Sequence, residues 1–327
     1  MTRQTTSIVM CTYNGAAFLP MQLDSLLAQT RLPDEIVIGD DGSTDATMNI
    51  LEQFESRASS AGVNVRLRRN PRNLGYVENF SVGLREACGE LLFLCDQDDV
   101  WHVGKLSRMA AAFAGDSSLL LLHSNAQLVD DAGQSLQCTL FDALQLTAAE
   151  RGAIHDGRAF DVVLRRSFVT GATAALRREL VATALPIAPG WVHDEWLAAV
   201  AAVTGRVDFI DETLIDYRQH AANQIGARKR TWATKWHDLL LPRASLLARE
   251  VSRLQHLETF LHHDTAADEQ LSARVGDKRA HFERRLAMGQ LARWRRLPAI
   301  AHERRLGCYQ RYGTGVRSVL RDLLRHD

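Results

Sequence analysis

The sequence predicts an α/β protein: a mostly parallel mixed sheet flanked by helices, followed by a separate helical region. Three observations carry this. Short apolar runs alternate with helix-period segments through the first half of the chain. Acidic and polar residues gather where those runs end, the place at which open α/β sheets bind ligands. Charge is split unevenly along a formally neutral chain of 327 residues: residues 227–327 carry 21 Lys+Arg against 11 Asp+Glu, a net of +10, and the remainder carries −10.

Taken in order, Ser7 to Cys11 is an apolar strand, and Phe18, Leu19, Leu23, Leu26 and Leu27 mark one face of a helix. Glu35 to Gly39 is a second strand, ending in Asp40-Asp41-Gly42-Ser43. Thr44 or Asp45 can cap the next helix, whose inner face is Met48, Leu51 and Phe54. Val63 to Leu67 alternates like a third strand, Val77 to Cys88 is a helix, and Leu91 to Cys95 is a fourth, fully apolar strand bounded by Gly89. After Leu122 the pattern loosens. Gly115-Asp116 and Asp130-Asp131-Ala132-Gly133 read as turns, Ala174 to Leu185 and Glu195 to Val203 as helices, and Gly205 to Ile215 as strand with a turn. Beyond Gly226 the chain is almost wholly helical in pattern, interrupted by Pro242, Gly276 and Pro298.

Several function classes drop out. No apolar run approaches the ~18 residues that a membrane-spanning helix needs. The first residues lead into a strand rather than a secretory apolar region. The five cysteines, Cys11, Cys88, Cys95, Cys138 and Cys308, are scattered and form no Cys-x-x-Cys, which fits a reducing cytoplasm. No Gly-x-Gly-x-x-Gly follows the first strand and no Gly-Lys-Ser/Thr loop occurs, so a dinucleotide-binding dehydrogenase and a P-loop enzyme are excluded.

The strand ends instead present Thr12-Tyr13-Asn14, Asp40-Asp41 and Asp96-Gln97-Asp98-Asp99. These supply an aromatic surface, hydrogen-bond acceptors and hard oxygen ligands, a set suited to a base, a ribose and a diphosphate. Clustered carboxylates repel one another unless neutralised, and a divalent ion such as Mg²⁺ or Mn²⁺, shared with substrate phosphates, does this. A solvated acidic turn is the competing reading of such a cluster.

In order and spacing the motifs resemble family 2 glycosyltransferases of the GT-A fold. They are Ser7-Ile8-Val9-Met10-Cys11-Thr12-Tyr13-Asn14-Gly15, Asp40-Asp41-Gly42-Ser43-Thr44-Asp45, Asn73-Leu74-Gly75 with Asn79, and Asp96-Gln97-Asp98-Asp99-Val100-Trp101. His123-Ser124-Asn125, Gly171-Ala172-Thr173, His193-Asp194-Glu195-Trp196 and Tyr217-Arg218-Gln219-His220 continue the match over roughly residues 6–226. Gln97, with Trp101 and Lys105 after it, is most similar to the rhamnosyltransferase branch. The resemblance implies a catalytic domain over 1–226, divided at 122/123 into nucleotide-sugar and acceptor halves, and a basic helical region over 227–327.

What the resemblance implies for the site is specific. Tyr13 lies beside the donor base with Thr12 and Asn14 shaping the loop, and Asp41 accepts from a pyrimidine N3–H. Asn79 and Gln97 belong to the donor site. Asp96 holds the ribose or a metal-bound water, and Asp98 ligates Mg²⁺ or Mn²⁺. Arg218 and His220 bind the diphosphate or complete the metal shell, a surface loop being the alternative. Asp194 is the general base of an inverting transfer, with helix capping as its competitor and Glu195 as its alternate. Trp191 is placed to stack on a sugar, and His193 to support the loop. The implied donor is a dTDP- or UDP-sugar, with rhamnose resting on branch resemblance, and the implied acceptor a glycan or lipid-linked saccharide. The expected location is the cytoplasm, with peripheral contact at the inner membrane face through Arg284, Arg285, Arg293, Arg295, Arg296, Arg304 and Arg305. Packing of those helices on the catalytic domain or in an oligomer competes with membrane contact, and no nucleic acid is expected. The alternatives in function are a nucleotidyltransferase, or an inactive α/β domain with a basic binding tail.

Overall fold

The structure, a computed structural model, describes residues 3–220, 241–264 and 269–325. Residues 227–240, the start of the expected helical region, lie outside the described residues. The chain divides into two compact units: one of residues 1–159, 168–187 and 192–227, the other of 160–167, 188–191 and 228–327. The second unit thus takes in two short segments that no step in composition marked.

Among the described residues the first unit is built on one sheet of nine strands: β1 (Thr6–Thr12), β2 (Glu35–Asp40), β3 (Asn64–Arg69), β4 (Leu91–Cys95), β5 (Val100–Trp101), β6 (Leu119–Val129), β7 (Ser135–Thr139), β8 (Ala174–Arg177) and β9 (Arg206–Arg218). Their order is β3-β2-β1-β4-β8-β6-β9-β5, with β7 paired to β6. β1 to β4 run parallel, β8 is antiparallel to both its neighbours, β9 is parallel to β6, and β5 is antiparallel to β9. The parallel strands are continuous apolar runs because both faces are covered: Ile8, Val9, Met10, Ile36, Val37, Ile38 and all of Leu91–Cys95 have no exposed surface. Burying each such Leu, Ile or Val contributes about 1.5–3 kcal/mol against the entropy of ordering the chain.

Helices α1 (Leu19–Leu27), α2 (Thr47–Ser60), α3 (Tyr76–Glu86) and α4 (Lys105–Gly115) cover the sheet through Leu19, Leu23 and Leu26, then Leu51 and Phe54, then Phe80 and Leu84, then Leu106, Met109 and Phe113. Short helices α5 (Leu140–Leu144) and α6 (Ala148–His155) each begin with a capping box, Thr139 with Asp142 and Thr147 with Glu150. They are followed by α7 (Ala159–Val163), α8 (Arg178–Ala184) and α9 (His193–Thr204). β1 has β2 on one side and β4 on the other, so the chain leaves it in opposite directions. That switch point opens a crevice at the carboxyl ends of β1, β2 and β4.

Three local expectations change. Ala174 to Arg177 is strand β8, not the start of a helix, because it fills the slot between β4 and β6; an Ala-Ala-Leu run carries no period that separates the two states. Residues 206–218 form one strand with no turn, and register shifts against β6 absorb the exposed Asp211-Glu212 pair. α2 starts after Ala46 with no side-chain N-cap, although the Asp45 carboxylate still accepts the Thr47 N–H at 3.0 Å.

The second unit holds two long helices, α10 (Ala244–Asp264) and α11 (Glu269–Gly289), then a 3-10 turn at Arg293–Arg296 and the short helices α12 (Leu297–Arg305), α13 (Cys308–Arg311) and α14 (Val316–Leu324). Gly276 does not interrupt α11: a Cβ there would lie 3.1 Å from the Glu258 carboxylate on α10, so the glycine serves close approach. Pro298 opens α12 rather than ending a helix. Met288, Ile300 and Tyr309 form the apolar centre of the C-terminal layer. Beside it, Asp322 accepts from Arg285 at 2.7 and 3.2 Å and from the Tyr309 hydroxyl at 2.8 Å, and Glu303 pairs with His281 and Arg284. Arg296 donates to the carbonyls of Gly289, Leu291, Asp322 and Arg325. Arg285 and Arg296 are therefore interior, which corrects their placement among lipid-facing residues: a buried guanidinium is tolerated only when its donors are paired.

Candidate active site

The loops that leave β1, β2 and β4 are tied to one another by side chains. The Gln97 amide clasps the backbone of Tyr13 from both sides: Oε1 accepts the Tyr13 N–H at 2.9 Å and Nε2 donates to its carbonyl at 3.1 Å. Gly15 makes room for the clasp, since a Cβ there would lie 2.6 Å from Gln97 Cδ and closer still to Oε1. Asn14, held at φ +48°, accepts the Thr44 N–H at 2.8 Å and donates its own N–H to Ser43 Oγ at 2.9 Å. Asp45 accepts the Ala16 N–H at 3.1 Å, and Thr47 accepts that of Gly15 at 2.9 Å. The Tyr13 ring is left 48% exposed at the rim.

Asp40 and Asp41 divide their work. Asp40 is fully buried and braces the turn, accepting from Thr12, Gly42 and Ser43. Asp41 accepts from the Asn70 amide at 2.9 Å and from the N–H groups of Leu74 and Gly75 at 2.7 and 2.8 Å. A carboxylate has about four acceptor positions, and three of them are taken here on a residue that is itself 3% exposed.

At the end of β4 the carboxylates crowd together. Burial, then Asp98 and Asp194, push the Asp96 carboxyl up to about 7. Burial and its acidic neighbours also push Asp99 well above the carboxylate range. Asp99 is 1% exposed; its Oδ1 accepts the Arg218 N–H at 2.9 Å, while Oδ2 has no partner. Asp98 Oδ2 lies 2.7 Å from His220 Nε2, and the His220 ring stacks on Phe18 with centroids 4.9 Å apart. Beneath the cluster, Lys105 is fully buried, donates to the Ala172 carbonyl at 2.7 Å and lies 3.8 Å over the Trp101 ring; burial brings its ammonium down to about 8. An orphaned carboxylate oxygen, a paired Asp and His, and a surplus of negative charge fit a divalent cation.

Of the three expected metal ligands, Asp98 and His220 are brought together and Asp96 closes no compact trio with them. Among the described residues, the one trio with ligand atoms mutually within 4.8 Å is His281, Glu303 and Cys308. Glu303 there already holds His281 and Arg284, so that trio is an ion-pair core.

Asp194 lies in the first turn of α9 and is among the charges that raise the Asp96 carboxyl. Its Oδ2 accepts the Gly171 N–H at 2.9 Å and its Oδ1 the Glu195 N–H at 2.7 Å. The N-cap of α9 is Val192, which makes no side-chain cap. Two N–H groups thus fix the carboxylate while each oxygen keeps acceptor capacity. His193 is 5% exposed, stacks on Phe80 with centroids 4.2 Å apart, and has neither ring nitrogen hydrogen-bonded; burial pushes its pKa down and keeps it neutral. It supports the α3–α9 contact.

Four expected ligand contacts turn out to be framework contacts. The Thr12 hydroxyl is spent on Asp40 at 3.1 Å. Asn79 is 1% exposed, accepts from Arg68 and Asn70 and donates to the Gly39 carbonyl at 2.7 Å. Arg218 is 2% exposed, and its guanidinium donates through Nε and Nη1 to the carbonyls of Asp98, Asp130 and Asp131 at 2.8, 3.1 and 2.8 Å, so those donors brace the loops rather than reach a diphosphate. Trp191 belongs to the second unit, donates to the Arg253 carbonyl at 3.1 Å and packs against that guanidinium, so it offers no sugar platform. Sequence reasoning missed Phe18 as the support of His220, the Gly171 N–H, and the burial of Lys105. A signal for the last was present: a cation at the first position of a helix opposes the dipole unless acidic groups face it.

A model of the family described as glycosyl transferase family 2 matches residues 7–181. An uncharacterized glycosyltransferase of Nostoc sp. is 28% identical over 225 residues, 66% of this chain and 65% of its own. The dTDP-rhamnosyl transferase RfbG of Shigella flexneri is 26% identical over 258 residues, 75% of this chain and 83% of its own. The chain spans about 65% of the length of the first of these relatives. Among solved structures, S. aureus TarS 1-349 in complex with UDP aligns at a TM-score of 0.54 and 17% identity over 86% of this chain and 71% of that one. The mannosyltransferase PcManGT from Pyrobaculum calidifontis, in complex with GDP-Man and Mn²⁺, aligns at 0.54 and 17% over 98% and 79%. These likenesses establish the GT-A fold, and the family model covers more than half of the chain: the chain belongs to glycosyltransferase family 2.

Proposed function

We propose that the protein transfers a sugar from a nucleoside-diphosphate donor to a hydroxyl of a glycan or lipid-linked acceptor, with inversion at the anomeric carbon. One arrangement carries this reading: Gly171, whose N–H holds Asp194 at 2.9 Å, adjoins Ala172, whose carbonyl takes the buried Lys105 ammonium at 2.7 Å, so one turn links the candidate base to the cation that lies against the strand-end carboxylates. Tyr13 borders the base, and the remaining acceptor position of Asp41 suits a pyrimidine N3–H. Asp98 and His220 would hold Mg²⁺ or Mn²⁺. Bound there, such an ion would supply positive charge to offset that of the leaving diphosphate. Asp194 takes the proton of the attacking hydroxyl, whose oxygen displaces the nucleoside diphosphate from the opposite face. A dTDP-linked rhamnose donor is supported by the likeness to the Shigella flexneri enzyme alone.

The test is a screen of dTDP-, UDP- and GDP-sugars with glycan and polyprenyl-linked acceptors, with and without EDTA, and with the product anomer read by NMR. Metal-restored turnover to the opposite anomer is expected, and Asp98→Asn should abolish it while leaving thermal unfolding unchanged. Retention of configuration, or full activity of Asp98→Asn at low metal, would overturn the reading. Pyrophosphate release with nucleotidyl transfer would replace it with a nucleotidyltransferase.

A further inference from the structure

The C-terminal layer of the second unit has a surface whose charge is one-sided. Residues 284–325 contain 11 arginines and two carboxylates, Glu303 and Asp322. Both carboxylates have no exposed surface, so this stretch shows solvent no acidic side chain at all. Arg284, Arg285 and Arg296 are occupied by Glu303, Asp322 and backbone carbonyls, but Arg295, Arg304 and Arg305 stand on the outside. Amid them the chain displays large apolar groups: Trp294 is 68% exposed, Leu297 52% and Leu291 41%. Leu297, Ala301, Arg304 and Arg305 follow one face of α12 at helical spacing, and all are exposed. The Arg295 guanidinium lies 4.9 Å from the Trp294 ring centroid. This tip is anchored from behind, since the four carbonyl contacts of buried Arg296 fix the 3-10 turn that carries Trp294.

We propose that this face docks on an anionic phospholipid surface, with Trp294, Leu291 and Leu297 entering the headgroup region and Arg295, Arg304 and Arg305 meeting phosphates. An exposed Trp among leucines, ringed by arginines, matches the two layers of a bilayer interface, where amphipathic rings sit at headgroup depth and cations at the charged plane. A second copy of the chain fits poorly: a two-fold contact sets the same patch against itself and brings arginine against arginine with no carboxylate to answer. A nucleic acid would use the arginines and could stack a base on Trp294, but it would leave the exposed Leu291 and Leu297 idle. The inference stands on the second unit alone and needs none of the donor-side assignments.

The experiment is vesicle co-sedimentation of the full chain, using phosphatidylcholine alone and phosphatidylcholine mixed with phosphatidylglycerol. Binding is expected to the anionic vesicles only and to weaken with salt. It should fall roughly fivefold per arginine removed in R295Q/R304Q/R305Q. W294S should weaken it independently and remove a blue shift in tryptophan emission. These positions are exposed, so circular dichroism and thermal unfolding should match the parent; Arg296 is spared because it holds the turn. Absence of binding at low salt, or binding untouched by both variants, overturns the proposal. So does an RNA homopolymer that competes fully and is indifferent to W294S, or a dimer in sedimentation that W294S dissociates. Donor turnover in water is read in parallel, so failure here leaves the family 2 reading intact and failure there leaves this one.

Discussion

The clasp between Gln97 and Tyr13 makes a quantitative claim that can be tested without knowing the donor. Gly15→Ala would place a Cβ 2.6 Å from Gln97 Cδ. The amide is the end of a flexible side chain, so it swings away rather than forcing the backbone, and both hydrogen bonds to Tyr13 are lost. At about 0.5–1.5 kcal/mol each, the loss is about 1–3 kcal/mol. Gln97→Ala removes the same two bonds and should cost a similar amount. In the Gln97→Ala background the obstructing atoms are gone. Gly15 is not among the residues of positive φ, so Ala fits its backbone there and should be neutral or stabilise by about 0.4–1 kcal/mol through the unfolded chain. The cycle therefore predicts a coupling energy of about 1–3 kcal/mol or slightly more. Thermal unfolding and nucleoside-diphosphate affinity measured on the four proteins would read it. Additive costs, with Gly15→Ala as harmful in the Gln97→Ala background as in the parent, would refute the clasp.

Asp194→Asn should slow transfer by roughly 100-fold or more at nearly unchanged donor affinity, because the amide oxygen can still accept one of the two N–H groups; Glu195→Gln, compared by the same single-turnover assay, should do little, and a larger defect there would move the base to Glu195. Arg218→Ala should lower the unfolding midpoint, with about 3 kcal/mol or more lost as three carbonyls give up a buried cationic donor. An unchanged midpoint with lost nucleotide affinity would return Arg218 to the diphosphate. His123, buried among Phe141, Phe168 and Phe209, has its pKa pushed down to about 3 by burial. Its folded form stays neutral while the unfolded chain protonates near 6.5, so stability is full above about pH 6.5 and falls by about 1.4 kcal/mol per unit as pH drops toward 3. His123→Leu should flatten the slope of stability against pH by that amount, and an unchanged slope would show that the ring is protonated in the fold.

The parallel half of the fold was readable because its strands are buried on both faces and spell continuous apolar runs, with Gly89 and the acidic loops as punctuation. β8 was not, because Ala174-Ala175-Leu176 is made a strand only by the gap between β4 and β6, a tertiary fact without local trace. The site was readable as a set of residue types at strand ends, but not as a division of labour. Thr12, Asn79 and Arg218 carry the right chemistry for a ligand, yet each is consumed inside the protein: whether a polar group faces a ligand or a backbone carbonyl depends on which strand lies beside it. The arginines of the C-terminal layer show the same limit. Arg295 and Arg296 are adjacent and chemically identical, and only the turn that carries them sends one outward and the other onto four carbonyls.

Lys105 shows how the site is balanced. Asp96, Asp98 and Asp99 lie along four consecutive residues, and Asp194 adds to the field on Asp96 from another helix. Among the described residues, the buried cation that favours the charged forms of Asp96 and Asp99 is the Lys105 ammonium at the start of α4, itself weakened to about 8 by burial. Arg218 contributes its backbone N–H to Asp99, while its guanidinium points to carbonyls. The protein thus holds the cluster together with hydrogen bonds and one reluctant cation, and leaves the Asp96 and Asp99 carboxyls displaced toward the neutral form. A cluster meant only for stability would be cheaper as apolar residues of similar volume. Maintaining it unbalanced, at the switch point of the sheet and beside an aromatic rim, makes sense when a divalent ion arriving with a diphosphate completes the charge. On that view Lys105→Met should weaken folding without metal and recover part of the loss when Mg²⁺ or Mn²⁺ is added with a nucleoside diphosphate. A thermal shift on adding metal and nucleotide that is no larger in Lys105→Met than in the parent would contradict it.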